Sequence, residues 1–212
     1  MSGKIAVLAP DDSEMEIFRK HVPEGVEPIW VDSSLPVEEQ AAQLQDAVAI
    51  IGVVSVEVAR QCPRLRLVQT ASAGTDRLDV QALGELGVRV ANNGGGNSIA
   101  VSEHAIVLIL SVYRKLDLQF EAAKAGQWAQ DLRGRWTTQA HEIAGKTVGI
   151  VGLGYIGQEV ARRLQGWGCE LMYHDAISRP PELEEEFHVT RASIDDLLGS
   201  SDIVTLHVPL TR

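Results

Sequence analysis

The chain has 212 residues, 45% of them hydrophobic and 23% charged, with 19 basic against 29 acidic side chains and a formal net charge of −10. This is ordinary globular material, long enough for one large domain or two small ones. It has no basic cluster for a phosphate backbone, no apolar run long enough to cross a bilayer, and no signal-peptide pattern at its start, so nucleic-acid and membrane partners are excluded and a cytoplasmic protein is expected.

The first hundred residues alternate short β-rich runs with helical patterns. Strands are predicted at 4–8, 26–30, 47–51, 65–69 and 88–91, with helices near 13–19, 37–44, 56–61 and 80–86. Five strands with intervening helices predict a doubly wound, flavodoxin-like parallel sheet, and ligand contacts belong on the loops at the carboxyl ends of its strands. Two such loops stand out, Thr70-Ala71-Ser72-Ala73-Gly74-Thr75-Asp76 and Asn92-Asn93-Gly94-Gly95-Gly96-Asn97. Cys62 here, and Cys169 later, have no metal or C-x-x-C spacing and read as packing residues.

A long helix is predicted next, from about Ser98 to Lys124. Ile99, Val101, Ala105, Val107, Leu108 and Leu110 leave little polar face in its first half, so it is expected to be sandwiched between two domains. A polar stretch from Gln130 to Ala144, carrying Trp136, leads to a second sheet.

That sheet opens with Thr147-Val148-Gly149-Ile150-Val151-Gly152-Leu153-Gly154-Tyr155-Ile156-Gly157, a buried strand running into a glycine turn and a helix. Gly152 permits the tight turn, Gly154 lets backbone approach a pyrophosphate, and Gly157 lets the helix pack on the strand. The free N–H groups at the helix start, around Tyr155 and Ile156, suit the phosphates. A second strand, 170–174, ends at Asp175, whose carboxylate can accept hydrogen bonds from both hydroxyls of a ribose. That favours NAD over NADP, whose 2′-phosphate it would repel. Strand, turn, helix, strand and terminal acid in this order predict a Rossmann dinucleotide site.

Further strands are predicted at 187–191 and 202–206, with helices near 156–166 and 193–198. The run 202–209 would be the fourth strand of a 3-2-1-4-5-6 order, next to the first across the switch point, its tip facing the glycine turn. Left without the fifth and sixth strands it is a long apolar edge, which folded proteins avoid, so the Rossmann domain is expected to be incomplete and the chain part of a longer one. Domain limits of 1–97 and 98–212 follow.

These residues resemble the D-isomer-specific 2-hydroxyacid dehydrogenases, the group that includes glycerate, lactate, phosphoglycerate and formate dehydrogenases. The resemblance rests on Ala73-Gly74-Thr75-Asp76-Arg77-Leu78-Asp79, on Gly87-Val88-Arg89-Val90-Ala91-Asn92, on Asn97 with Val101-Ser102-Glu103-His104, on the run from Gly145 to Gly154, and on the run from Ser201 to Thr211. It implies an NAD-dependent oxidoreductase passing a hydride between NAD(H) and a small 2-hydroxy or 2-oxo acid, with a first domain that binds substrate and a second that binds NAD. Ala71, Ser72, Ala73 and Gly74 match the loop whose N–H groups hold the substrate carboxylate. Val101 matches a residue beside the nicotinamide, and His207, Val208 and Pro209 match the wall near the adenosine. The family's catalytic arginine, acid and histidine are expected beyond Arg212, so no catalytic residue is assigned within the chain, which is expected to be inactive alone. Relatives are commonly dimers, and a homodimer is expected of the intact protein, with Trp128 and Trp136 near the contact. Gly94-Gly95-Gly96 stands where many relatives have a proline next to glycine, which makes that loop more flexible. Val53 and Val54 occupy the area where some phosphoglycerate-specific relatives carry an arginine, which disfavours a phosphorylated substrate.

An alternative from another class is a non-catalytic NAD-binding module that senses redox state or serves as an interaction surface. Of the six histidines, His104 beside Glu103 is the most tempting acid/base, but neighbours on a helix point about 100° apart, so Glu103 cannot easily hold its imidazole. His21, His141, His174 and His188 read as surface or packing residues. Ser201, Asp202 and His207 come from one strand and its entry turn and make no hydrolase triad. Glu184-Glu185-Glu186 reads as a solvated helix face, and Asp195-Asp196 as acids favouring a helix N-terminus.

Overall fold

The computed structural model describes residues 4–13, 15–26, 28–127 and 138–209. The chain divides into two compact units, Met1–Gly96 and Asn97–Arg212. Trp128 and Trp136, on which the expected dimer contact leans, lie outside the described residues.

The first unit runs β1 (Lys4–Ala9), α1 (Met15–His21), β2 (Pro28–Asp32), α2 (Val37–Leu44), β3 (Ala47–Gly52), α3 (Val56–Arg60), β4 (Leu67–Gln69), α4 (Val80–Glu85) and β5 (Arg89–Ala91). All strands pair parallel, in the order β2-β1-β3-β4-β5, which is the flavodoxin-like doubly wound arrangement. A parallel sheet covered on both faces needs apolar side chains in both directions. The strands comply, with Ala6, Leu8, Ile50 and Val68 buried against Leu44, Val58 and Leu83 from the helices. Strand β2 begins two residues later than predicted. Val26 is spent in a turn, donating to the Pro23 carbonyl at 3.1 Å, and Pro28, which has no N–H, opens the strand at the edge of the sheet opposite Ile5. Ser55 and Asp79 cap α3 and α4, their side-chain oxygens accepting from the Val58 and Ala82 N–H groups at 3.2 and 3.0 Å. Cys62 is buried in this core, and burial pushes its thiol pKa up.

The second unit contains α5 (Ser98–Arg114), α6 (Leu116–Lys124), β6 (Thr147–Val151), α7 (Tyr155–Leu164), β7 (Glu170–His174), α8 (Pro181–Phe187), β8 (Val189–Arg191), α9 (Ile194–Ser200) and β9 (Ile203–Leu206). The single helix predicted over 98–124 is two. Lys115 takes a left-handed conformation, φ 52°, and the Gln119 amide donates to the Arg114 carbonyl that the break exposes. Only Ser102 and Ile106 of α5 are buried, while Val107, Leu108 and Val112 are 52%, 53% and 64% exposed.

The second sheet is parallel with order β8-β7-β6-β9, that is 3-2-1-4 in order of appearance, which places β9 beside β6 across the switch point as predicted. Helix α7 packs on it through Gly157, Val160, Ala161 and Leu164, spaced three and four apart on one face, while Arg162 and Arg163 in the last turn favour the dipole. Strand β8 starts at Val189 because Phe187 closes α8 in the core, under the Arg162 guanidinium at 4.9 Å from its ring. Ser193 caps α9 by accepting from the Asp196 N–H at 3.1 Å, and its hydroxyl donates to the Asp196 carboxylate at 2.6 Å, so these acids belong to the helix start.

The acidic run of α8 is not wholly solvated. The hydroxyl of Tyr173, a fully buried residue, donates to Glu184 Oε1 at 2.6 Å, and Glu186 pairs with Arg162 at 3.3 Å. Burial first, and then the Glu184 hydrogen bond, push the Tyr173 phenol up to about 12. A pKa raised above the unfolded value gives stability that is complete below about pH 10 and lost as pH rises towards 12. Tyr173→Phe is therefore expected to cost roughly 1–2 kcal/mol in urea unfolding at pH 8, a deficit that shrinks above pH 10. A deficit independent of pH would refute the assignment.

Candidate functional site

Each unit gathers predicted ligand-binding residues at the carboxyl ends of its strands. In the first unit the loop 70–76 follows β4 and the loop 92–97 follows β5. Thr70 is buried and continues the ladder, its N–H donating to the Ala91 carbonyl at 2.9 Å. Beyond it the chain turns outward, and every carbonyl of residues 70–74 is claimed. Gln69 Nε2 donates to the Thr70 carbonyl at 3.0 Å, Asn93 Nδ2 to that of Ala71 at 3.4 Å, and Asn92 Nδ2 to that of Ala73 at 2.7 Å. The Ser72 carbonyl accepts from the Thr70 hydroxyl at 2.6 Å and the Asn93 N–H at 3.1 Å, and the Gly74 carbonyl from the Ser72 hydroxyl at 3.0 Å.

The N–H groups of Ala71, Ser72, Ala73 and Gly74 make no such bond among the described residues, and all four residues are exposed. A loop with its acceptors tied back and its donors open has the chemistry that suits an anion, since backbone N–H dipoles favour negative charge without a buried counter-ion. Asn92 and Asn93 therefore act on the loop by holding its carbonyls. Nothing in the sequence points to this task, because the contact joins residues 19 apart in the case of Asn92 and Ala73.

In the second unit the glycine turn follows β6 at the switch point. Gly152 is buried with φ +93°, and a Cβ there would stand 2.6 Å from the His207 carbonyl and 2.7 Å from Val208 Cγ1, so only glycine lets the turn pass the end of β9. A Cβ on Gly157 would stand 2.1 Å from the Gly152 carbonyl, which is how closely α7 abuts the turn. Gly154 differs, since a Cβ there would meet nothing within 4 Å. Tyr155 is exposed, while Ile156 packs against the core, so its N–H rather than its side chain is available at the turn.

Asp175 is fastened to this turn. Its Oδ2 accepts from the Leu153 N–H at 2.9 Å and from Arg179 Nη2 and Nε at 2.7 and 3.2 Å, and its Oδ1 accepts from the Ile177 N–H at 2.9 Å. Burial by itself would raise the carboxyl pKa, but the bonds from Ile177, Arg179 and Leu153 outweigh it and hold the group below the ordinary carboxylate value. Leu153 N–H and Asp175, 22 residues apart, thus bring the glycine turn and the end of β7 into one constellation. These residues, with free N–H groups at the start of α7, fit a dinucleotide's pyrophosphate and adjoining ribose.

A groove of about 570 Å³ runs between α5 and β9, and Val101, His104 and His207 all line it. Glu103 does not hold His104; it pairs with Arg163 at 3.5 Å, on another side of the helix. His207 Nε2 is 2.9 Å from the Thr205 hydroxyl, and burial lowers the imidazole pKa. Asp202 turns away from His207, accepting from the Thr147 N–H at 3.0 Å and pairing with Lys146 at 3.4 Å, so no triad forms. Val208 and Pro209 are exposed beyond the tip of β9. Among the described residues no group of acidic, histidine and cysteine side chains could hold a metal ion, and no helix is long and apolar enough to cross a membrane.

Two parallel α/β units, the second with a glycine turn and terminal acid at its switch point, define a dinucleotide-binding protein of the doubly wound class. Residues 106–212 match the NAD binding domain of the D-isomer specific 2-hydroxyacid dehydrogenases, and the chain belongs to that family. It is 34% identical to a glyoxylate reductase of Thermococcus kodakarensis over 95% of its own length and 61% of that protein's. A D-3-phosphoglycerate dehydrogenase of Archaeoglobus fulgidus is 32% identical over 99% of this chain and 39% of the relative. The chain thus spans less than two thirds of the length of each of these relatives. Among solved structures, the holo form of Rhodotorula graminis D-mandelate dehydrogenase superposes with a TM-score of 0.81 at 28% identity, covering 100% of this chain and 67% of that one. The NAD-dependent formate dehydrogenase of Staphylococcus aureus in complex with NAD gives 0.77 at 30% identity, over 98% and 66%.

Proposed function

We propose that this chain carries the binding machinery of an NAD-dependent 2-hydroxyacid dehydrogenase acting on a small, unphosphorylated 2-oxo or 2-hydroxy acid. The observation that carries the reading is the bond from the Leu153 N–H to Asp175 at 2.9 Å, which sets an acid beside a glycine turn and a helix start. In this reading Gly152, Gly154 and the N–H groups of Tyr155, Ile156 and Gly157 face the pyrophosphate, Asp175 the ribose, Val101 the nicotinamide, and His207, Val208 and Pro209 the adenosine. The N–H groups of Ala71, Ser72, Ala73 and Gly74 hold the substrate carboxylate. Bound NAD(H) supplies or removes the hydride at the substrate's C2. Val53 and Val54 follow β3 and offer no cation to a phosphate.

Proton transfer to the developing alkoxide needs an acid held in place, usually a histidine on a carboxylate. Neither His104 nor His207 has that support, since Glu103 is on Arg163 and His207 is on Thr205. The 212 residues are therefore expected to bind NADH, seen as an enhancement of its fluorescence, yet to show no steady NADH oxidation with glyoxylate, hydroxypyruvate or pyruvate. No binding would overturn the dinucleotide site. Turnover that disappears in His104→Ala would overturn the view that these residues bind without catalysing.

A further inference from the structure

The amino ends of the first sheet carry a concentration of positive charge that no run of the sequence shows. Lys4 opens β1, Arg66 immediately precedes β4 and Arg89 opens β5, while Arg60 ends α3 and Arg64 lies in the loop after it; all are exposed. These residues are far apart along the chain, and the parallel register gathers them. Lys4 stands opposite Ala47, Ala49 opposite Leu67, and Leu67 opposite Arg89, with the Arg89 N–H donating to the Arg66 carbonyl at 2.9 Å. A cation in the last turn of a helix answers the helix dipole, which accounts for Arg60. It does not account for Lys4, Arg64, Arg66 or Arg89, which stand outside helices.

Most of this charge is unpaired. Asp46, just before β3, is shared by Lys4 at 3.9 Å and Arg64 at 3.4 Å. Arg66 Nη1 donates to the Pro63 and Leu65 carbonyls at 3.0 and 2.8 Å, which steadies the guanidinium and leaves its charge without a carboxylate. Among the described residues no acid pairs with Arg60, Arg66 or Arg89. Glu85, in the last turn of α4, accepts from Gln81 Nε2 at 3.3 Å.

The neighbouring strands β1, β3, β4 and β5 set the width of this edge at about 14 Å, the reach of about four extended residues. Charges more than about 8 Å away are largely screened at physiological ionic strength. A short acidic segment therefore meets only these cations, whereas a long polyanion runs on over a chain of net charge −10. None of the elements at this edge carries an aromatic side chain on which bases could stack. Leu86, just beyond α4, is 39% exposed and offers an apolar seat of the kind that anchors protein partners. We propose that the amino edge of the first sheet is a docking surface for a partner protein, taking a short, extended acidic segment with an apolar residue seated on Leu86. The surface lies at the opposite end of the strands from the loops 70–76 and 92–97, so it stands independently of the dinucleotide and carboxylate readings.

The test is a fluorescence-anisotropy titration of a short labelled peptide, glutamates flanking one leucine, with the 212-residue chain at about 0.15 M salt. Arg66→Gln and Arg89→Gln, their folds checked by thermal melts, should each weaken binding by about tenfold, the worth of one charge-assisted contact. Arg77→Gln, an exposed cation at the other end of the sheet, should leave it unchanged. Absence of peptide binding, or equal weakening in Arg77→Gln and Arg89→Gln, would overturn the docking surface. Tighter binding of a DNA duplex, or undiminished binding when serine replaces the leucine of the peptide, would overturn the choice of a protein partner.

Discussion

Gly157→Ala is expected to abolish tight dinucleotide binding and to destabilise the second unit, whereas Gly154→Ala is expected to weaken binding by about tenfold or more and leave the fold intact. The difference comes from what each new methyl group meets. At Gly157 it would lie 2.1 Å from the Gly152 carbonyl. Neither partner can yield by a rotamer change, so α7 must back away from the turn. Overpacking against backbone costs roughly 2–4 kcal/mol, and an ångström of displacement at the helix start is worth about 100-fold in a positioned contact. At Gly154 the methyl group would meet nothing within 4 Å, and the backbone there, φ −80° and ψ −163°, is open to alanine. Its thermal melt should match the unmodified chain, while its NADH affinity falls by about tenfold or more through collision with the pyrophosphate. Unaltered NADH affinity in a folded Gly154→Ala would show that the phosphates do not pass over this turn.

The second large effect is expected at Asn92, a residue with no assigned ligand contact. Its amide holds the Ala73 carbonyl at 2.7 Å. Without that bond the peptide is free to rotate and turn acceptor rather than donor toward the anion. Glyoxylate or oxalate added to the chain should shift the amide resonances of Ala71, Ser72, Ala73 and Gly74. Asn92→Ala should weaken that binding by about tenfold, the worth of one positioning hydrogen bond. Asn92→Asp should weaken it further, since a carboxylate cannot donate to the carbonyl and repels the ligand. Shifts confined to other residues, or an Asn92→Asp variant that binds as well as the unmodified chain, would contradict the carboxylate assignment of the loop.

Both expectations join a feature that is plain in the sequence to one that is not. The apolar runs at 4–8, 47–51, 147–151 and 170–174 are strands in the structure, because such segments are stable only with both faces covered in a parallel sheet. The glycine spacing after β6 and the acid after β7 carried the second unit's site, since a strand, a turn that tolerates φ +93° at Gly152 and a helix must follow in that order. The break at Lys115 had no such signal, because lysine does not favour the left-handed conformation that it adopts at φ 52°. The bond between Tyr173 and Glu184 was hidden for a different reason. Three consecutive glutamates look alike as letters, and only the packing of α8 on the sheet turns one of them inward.

From the sequence alone came the two parallel sheets, the place of β9 beside β6, the glycine turn and the terminal acid, all of them local patterns of hydrophobicity, turn chemistry and order along the chain. The tertiary structure decided how the polar groups at those positions are shared. Arg179 takes the carboxylate that a ribose would need, Asn92 and Asn93 draw back the carbonyls of the loop after β4, and Glu103 goes to Arg163 rather than His104. Each depends on distances of a few ångströms between groups brought together by folding, and a hydrogen bond's partner is chosen by that geometry rather than by residue type.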